Sequence, residues 1–219
     1  MATQNLESIF GPVATSTGCE LKLRRTLEEV VQLAVEIARE GREGRKIGTL
    51  FVVGDVEAAL ERSRPLLLDP LYGHPPELLH VSRPEFRETV KELAQLDGAF
   101  YVDKYGTFVS AGRFVEVDLN SPASFLPGLG TRHAAAASIT ATTRAVAVVV
   151  SQSSVVRVFA GGEIRSEIIP ELFLLSREQF FARGADVRHL PEAGLTLAVA
   201  DGYDGDPAEQ HASAAGASS

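Results

Sequence analysis

Over its first hundred residues the chain alternates helical and strand-like hydrophobic periods; after that, strand-like runs follow one another. Leu27, Val30, Val31, Ala34, Ile37 and Ala38 recur at helical spacing, with Glu28, Glu29, Glu36 and Arg39 between them. That spacing predicts a helix from Thr26 to about Gly41, opened by a Thr26–Glu29 capping box. "IGTLFVVGD" follows as a buried strand, Ile47 to Val53, and Val56 to Arg62 as a short helix. Ser82 and Glu85 frame a second capping box ahead of a helix of about a dozen residues carrying Phe86, Val90, Leu93 and Leu96. "GAFYVDKYGTFVSAGRFVEV" then reads as two strands around a turn at Asp103-Lys104-Tyr105-Gly106. "GLGTRHAAAASIT" reads as strand, loop and helix. "RAVAVVVSQSSVVRVFAGGEIRSEII" reads as three strands with turns near Ser153 and at Gly161-Gly162. Alternation followed by consecutive strands predicts the α/β class: a single domain with a mixed β-sheet flanked by helices.

Around that domain, residues 26–170, the chain divides into an N-terminal arm (1–25), a C-terminal extension expected to pack on the domain (171–203) and a tail (204–219). The extension reads as helical pieces and one late strand, "LTLAVA". The tail, rich in Gly, Ala, Ser and Asp, is expected to be disordered. The region 64–83, with Pro65, Pro70, Pro75 and Pro76, reads as an irregular surface excursion. A length of 219 residues and 45% apolar content allow a sizeable core, and a net charge of −8 argues against a nucleic-acid binder. The longest continuous apolar run, Ala145 to Val150, is six residues. A membrane span needs roughly 20, so no membrane association is expected. Cys19 is the sole cysteine, which leaves no intrachain disulfide and no thiolate metal cluster. With no signal-like N-terminal segment, a soluble cytoplasmic protein is the expectation.

Three places carry possible chemistry. In "GLGTRHAAAA", Arg132 and His133 stand at the mouth of an alanine-rich helix, where the macrodipole favours acids. Thr131 could be a simple N-cap, Arg132 a solvated charge and His133 a satisfied ring. Alternatively, an anionic ligand supplies the missing negative charge: a phosphate there meets free N–H groups, Arg132 adds a bidentate fork, and histidine is a common metal ligand. Asp97-Gly98-Ala99 sets an acid where a helix ends and a strand begins, with Gly98 free to approach a ligand closely; an ordinary helix stop has the same composition. Ser151-Gln152 follows the most hydrophobic strand, beyond whose carboxyl end ligands sit in open α/β sheets; a polar strand end is the plainer reading. "GREGRKIGT" is glycine-rich and basic, but it follows a helix, precedes a strand and lacks P-loop spacing, so it reads as a helix C-cap. His74, His80, His189 and His211 show no metal-ligand spacing, and no CxxC, HExxH or GxSxG exists.

"GREGRKIGTLFVVGD", "DGAFYVDKYGTFVSAGRF" and "GLGTRHAAAASITATTRAVAVVVSQ", in that order and spacing, resemble the diadenylate cyclase domain over roughly residues 26–170. The pairing of DGA with GTRH about 35 residues later is far more specific than either motif alone. The resemblance implies a mixed sheet flanked by helices and condensation of two ATP into cyclic di-AMP and two pyrophosphates. It implies that Asp97 helps hold a divalent metal (Mg²⁺ or Mn²⁺) and assists deprotonation of the ribose 3′-hydroxyl. By the same likeness Gly98 and Ala99 lie against the nucleotide, and Gly130, Thr131, Arg132 and His133 handle phosphate and metal. Ser151 lies near phosphates or sugar, and Val115 near a position whose backbone reads the adenine. The catalytic set is thus Asp97, Arg132 and His133, with Asp97 and His133 as metal ligands. One departure stands out: the family motif is most often Arg-His-Arg, and here the third position is Ala134. A two-fold symmetric product from one set of motifs per chain implies a homo-oligomer with at least face-to-face dimers. The alternative is a catalytically degenerate sensor that binds ATP or cyclic di-AMP.

Overall fold

The computed structural model describes residues 21–117 and 129–170, together with the backbone of 186–190 and 195–199. Its contacts divide the chain into two compact units, 1–173 and 174–219. In the first, one sheet of seven strands runs in the order β2-β4-β3-β1-β5-β6-β7. The strands are β1 (Thr49–Gly54), β2 (Ser63–Pro65), β3 (Ala99–Asp103), β4 (Phe108–Val115), β5 (Val146–Val150), β6 (Val156–Ala160) and β7 (Glu163–Ile168). Only β1 and β3 pair in parallel, Leu50 opposite Ala99; every other neighbour is antiparallel. The mixed sheet expected from the element order is what forms. In the second unit, β8 (Asp186–Leu190) and β9 (Leu195–Val199) make an antiparallel pair. The sequence pointed only to the second of these. The N-terminal arm up to residue 20, the remaining pieces of the extension and the tail lie outside the described residues.

Strand alternation sends the apolar side chains to two faces. Leu50, Val52, Ala99, Tyr101, Ala147, Val149 and Phe159 form one face, under helices α2 (Val56–Glu61) and α4 (Thr131–Thr142). Ala136 and Ala137 of α4 are fully buried there; without long side chains at these positions the helix backbone can lie close to the strands. The opposite face carries stacked Phe51 and Phe100, with Phe108 edge-on to both and to Phe86 of α3 (Pro84–Leu93). Helix α1 (Leu21–Glu40) packs across β5, β1 and β6.

Helix starts depart from the capping-box reading. Thr26 is buried inside α1, its hydroxyl donating to the Lys104 carbonyl at 3.1 Å, and the helix begins at Leu21. Helix α3 starts at Pro84 after Arg83, because Pro at the first position needs no N–H partner, while the Ser82 hydroxyl pairs with His80 Nδ1 at 2.7 Å. The C-cap reading of "GREGRKIGT" holds. Gly41, at φ +60°, donates to the Ile37 carbonyl at 3.0 Å and closes α1.

Candidate active site

The parallel register of β1 and β3, with β5 antiparallel to β1, brings the amino ends of β1 and β3 together with the carboxyl ends of β4 and β5. Asp97-Gly98, Val115, Gly48 and Ser151 therefore lie along one rim of the sheet. This is the opposite rim from the carboxyl ends of the parallel strands, where open α/β sheets usually take ligands. Helix α4 opens at that rim. Its N-cap is Gly130, in place of the Thr131 considered from the sequence; no side chain among the described residues caps it, and its first turn holds no acid. The helix end keeps its positive partial charge and its free amides for a ligand.

A cavity of about 560 Å³ lies there, lined by Asp97, Gly98, Ala99, Arg113, Phe114, Val115, Thr131, Arg132 and Ala135 among others. The Asp97 carboxylate is 93% exposed, and Arg132 approaches it to 3.8 Å. Gly98 has φ +102°, and a Cβ there would lie 2.6 Å from the Arg113 nitrogen. Glycine is required for β3 to start against β4 at this spot. Arg132 reaches back over Gly48: a Cβ on Gly48 would meet the Arg132 guanidinium at 3.0 Å and the Val150 carbonyl at 3.2 Å. The Ser151 hydroxyl pairs with Ser153 at 2.8 Å in the turn after β5.

His133 faces elsewhere. It is 6% exposed, it is not among the cavity-lining residues, and its Nε2 accepts a bond of 3.1 Å from Arg157 of β6. Arg157 in turn donates through Nε to Glu167, its direct cross-strand neighbour on β7. An arginine has no lone pair to accept with, so Nε2 is the acceptor and the ring proton sits on Nδ1. Nδ1 is buried without a hydrogen-bond partner among the described residues. Burial, then the positive charge of Arg157, hold the imidazole below the usual histidine range; Glu167 pulls the other way, and Arg132 adds a smaller lowering effect. The ring is neutral, so only one of the two adjacent groups at the helix mouth is a cation.

Two arginines escaped the sequence reading. Arg113 lines the cavity, fixed by Nε to the Ser63 hydroxyl at 2.9 Å and by a terminal nitrogen to the Ser63 carbonyl at 3.1 Å, with no acidic partner among the described residues. Arg157 interrupts the apolar run "SVVRVFA". A charge inside such a strand was the available signal, but only the sheet register shows that it shares a face with Phe159 and reaches α4.

Among the described residues, no helix is long and apolar enough to cross a membrane. The chain is 47% identical over 157 residues to a diadenylate cyclase of Methanocaldococcus jannaschii, covering 70% of this chain and 48% of that protein. It is 37% identical over 149 residues to a diadenylate cyclase of Haloferax volcanii, covering 67% and 54%. The chain thus spans about half the length of the curated relatives it matches. Among solved structures, a hypothetical membrane spanning protein from Bacillus cereus aligns with TM-score 0.48 and 20% identity over 64% of this chain and 61% of its own. A double mutant of DacA from Staphylococcus aureus aligns with TM-score 0.45 and 22% identity over 72% and 97%. Residues 36–164, more than half of the chain, match the family described as DAC, DisA bacterial checkpoint controller nucleotide-binding, and the chain belongs to that family.

Proposed function

We propose that the chain is a diadenylate cyclase, condensing two ATP into cyclic di-AMP and two pyrophosphates. The observation that carries this reading is the meeting of Asp97 and Arg132, at 3.8 Å, in a cavity at the uncapped start of α4. In each half-reaction a ribose 3′-oxygen forms a bond to an α-phosphorus, the bond from that phosphorus to the bridging oxygen breaks, and pyrophosphate leaves. Arg132 and the amides of the first turn place fixed positive potential where phosphoryl charge grows. Asp97 lies where a carboxylate can take the hydroxyl proton. Gly98, Ala99, Val115 and Thr131 line the cavity that would take the nucleotide, Gly130 stands beside it as the N-cap of α4, and Ser151 sits at the adjoining strand end.

The residues fit a divalent cation in part. Asp97 offers an open, hard oxygen donor suited to Mg²⁺ or Mn²⁺. No group of three His, Cys, Asp or Glu able to hold an ion exists among the described residues, so nucleotide oxygens would complete the shell. His133 does not fit as a ligand in this arrangement, because Arg157 occupies Nε2 and the proton occupies Nδ1. When bound, such an ion neutralises phosphoryl charge and orients the triphosphate.

Ala134 favours a second reading, a sensor that binds nucleotide without turnover. Incubation with ATP and Mg²⁺ or Mn²⁺, followed by chromatography of the nucleotides, separates the two. Cyclic di-AMP is the expected product. Asp97→Asn should lower its formation by about 100-fold or more while leaving the fold intact. Nucleotide bound but unchanged under both metals would establish the sensor instead.

A further inference from the structure

Arg157 and Glu167 lie outside the cavity and outside every motif that links the chain to its family. Three observations give them a role. Arg157 is only 14% exposed, and it bridges two partners: Glu167 through Nε and His133 Nε2 through a terminal nitrogen at 3.1 Å. His133 has no other side-chain hydrogen bond among the described residues, and its Nδ1 is buried and unpartnered. His133 directly follows Arg132 in the first turn of α4, and Arg132 lines the cavity.

We propose that Arg157 is a positioning residue for the active site: braced by Glu167 on β7, it locks the His133 ring in the Nδ1–H tautomer, and so fixes the first turn of α4, from which Arg132 enters the cavity. A histidine's tautomer follows from the bond its other nitrogen makes, and a donor that is always charged leaves Nε2 no choice but to accept. The bridge also sets the ring's orientation. Phe159, with centroids 6.1 Å apart, supplies a tilted contact that directs no hydrogen bond. Glu167 keeps Arg157 from turning away, because the cross-strand register sets the two side chains directly opposite.

The kinetic arm of the test rests on the cyclase reading; the structural arm does not. Nitrogen-15 NMR of the histidine-labelled protein without nucleotide, with His133 assigned by loss of its signals in His133→Gln, should show a protonated Nδ1 and a bare Nε2. In Arg157→Met the two nitrogens should move towards the averaged shifts of exchanging tautomers. The same variant should lose about 10–100-fold in kcat, the cost of a small misplacement of Arg132 at the reacting phosphate, with KM for ATP changed far less. Arg157→Lys, which keeps one donor but not the fork, should fall between. Should Arg157→Met fail to fold, Glu167→Gln decides by the same two readouts. A His133 tautomer unmoved in these variants would overturn the proposal, as would a moved tautomer with unchanged kcat. If the wild-type chain makes no cyclic product, the cyclase reading fails, and the tautomer signal still decides whether Arg157 holds His133.

Discussion

At the scale of single residues, the site is held by what cannot be added as much as by what is present. Gly98 combines φ +102° with backbone atoms of Gly112 and Arg113 within 2.6 Å of where a Cβ would stand. No flexible side-chain end can yield there, so a methyl group must shift the β3–β4 ladder. Gly98→Ala should cost about 2–3 kcal/mol, combining strain in a left-handed backbone with overpacking, read as a lowered urea midpoint with unchanged m. Turnover should fall further than stability alone explains, because Asp97 is displaced from Arg132. Asp97, Gly98 and Arg132 were legible in the sequence because each is marked locally: an acid and a glycine before a strand, a cation at a helix start. Arg113 and Arg157 were not, because a strand residue's meaning depends on its partner across the sheet. The same limit applies to His133, whose neighbouring cation is 24 positions away and turns an apparent charge into a neutral ring.

Between elements, α3 is tied to α1 by a charged clasp. Lys91 is 5% exposed and its ammonium meets Glu88 at 2.8 Å, Glu36 at 3.1 Å and Glu40 at 3.3 Å; Arg87 reaches Glu36 at 2.6 Å. Burial alone would lower the lysine's pKa, but the three carboxylates outweigh it and hold it above the usual range. Lys91→Met keeps the apolar stem and removes the charge. It should cost about 1–3 kcal/mol at neutral pH, below the figure for a fully buried pair because Glu36, Glu40 and Glu88 retain solvent contact. The hydrogen bond to Lys91 holds the Glu88 carboxyl below its usual 4.5 despite an opposing burial effect. Its contribution is therefore present above pH 4.5 and lost as pH falls through the depressed folded-state value. Urea midpoints of wild type and Lys91→Met should converge on acidification, and a constant gap would remove the clasp from the account. Alternation of helix and strand was enough to read six strands of the sheet and their turns; the edge strand β2 was missed, because its three residues run into the proline-rich stretch read as an irregular excursion. The capping boxes misled because local composition does not show that the Thr26 hydroxyl is drawn to Lys104 or that Pro84 already opens α3.

For the whole molecule, the count of functional groups sets the last expectation. Asp97, Arg132 and the start of α4 occur once, at one rim of one sheet, and serve one cavity. The proposed reaction joins two nucleotides through two identical 3′–5′ links, so each 3′-hydroxyl must meet the α-phosphate of the other nucleotide. Two copies related by a two-fold axis meet that demand with no further catalytic residues, each cavity presenting its nucleotide to the other. The Asp97 carboxylate is 93% exposed, so nothing among the described residues covers it against a second copy. Initial rates at saturating ATP should then rise with the square of protein concentration below the dimer dissociation constant and linearly above it, with the break where sedimentation detects the dimer. Mixing Asp97→Asn with wild-type chain in the linear range should depress the rate per wild-type chain, because mixed pairs carry one disabled cavity. First-order rates through fully monomeric concentrations would mean that one chain holds both nucleotides, and the single cavity described here would not be enough.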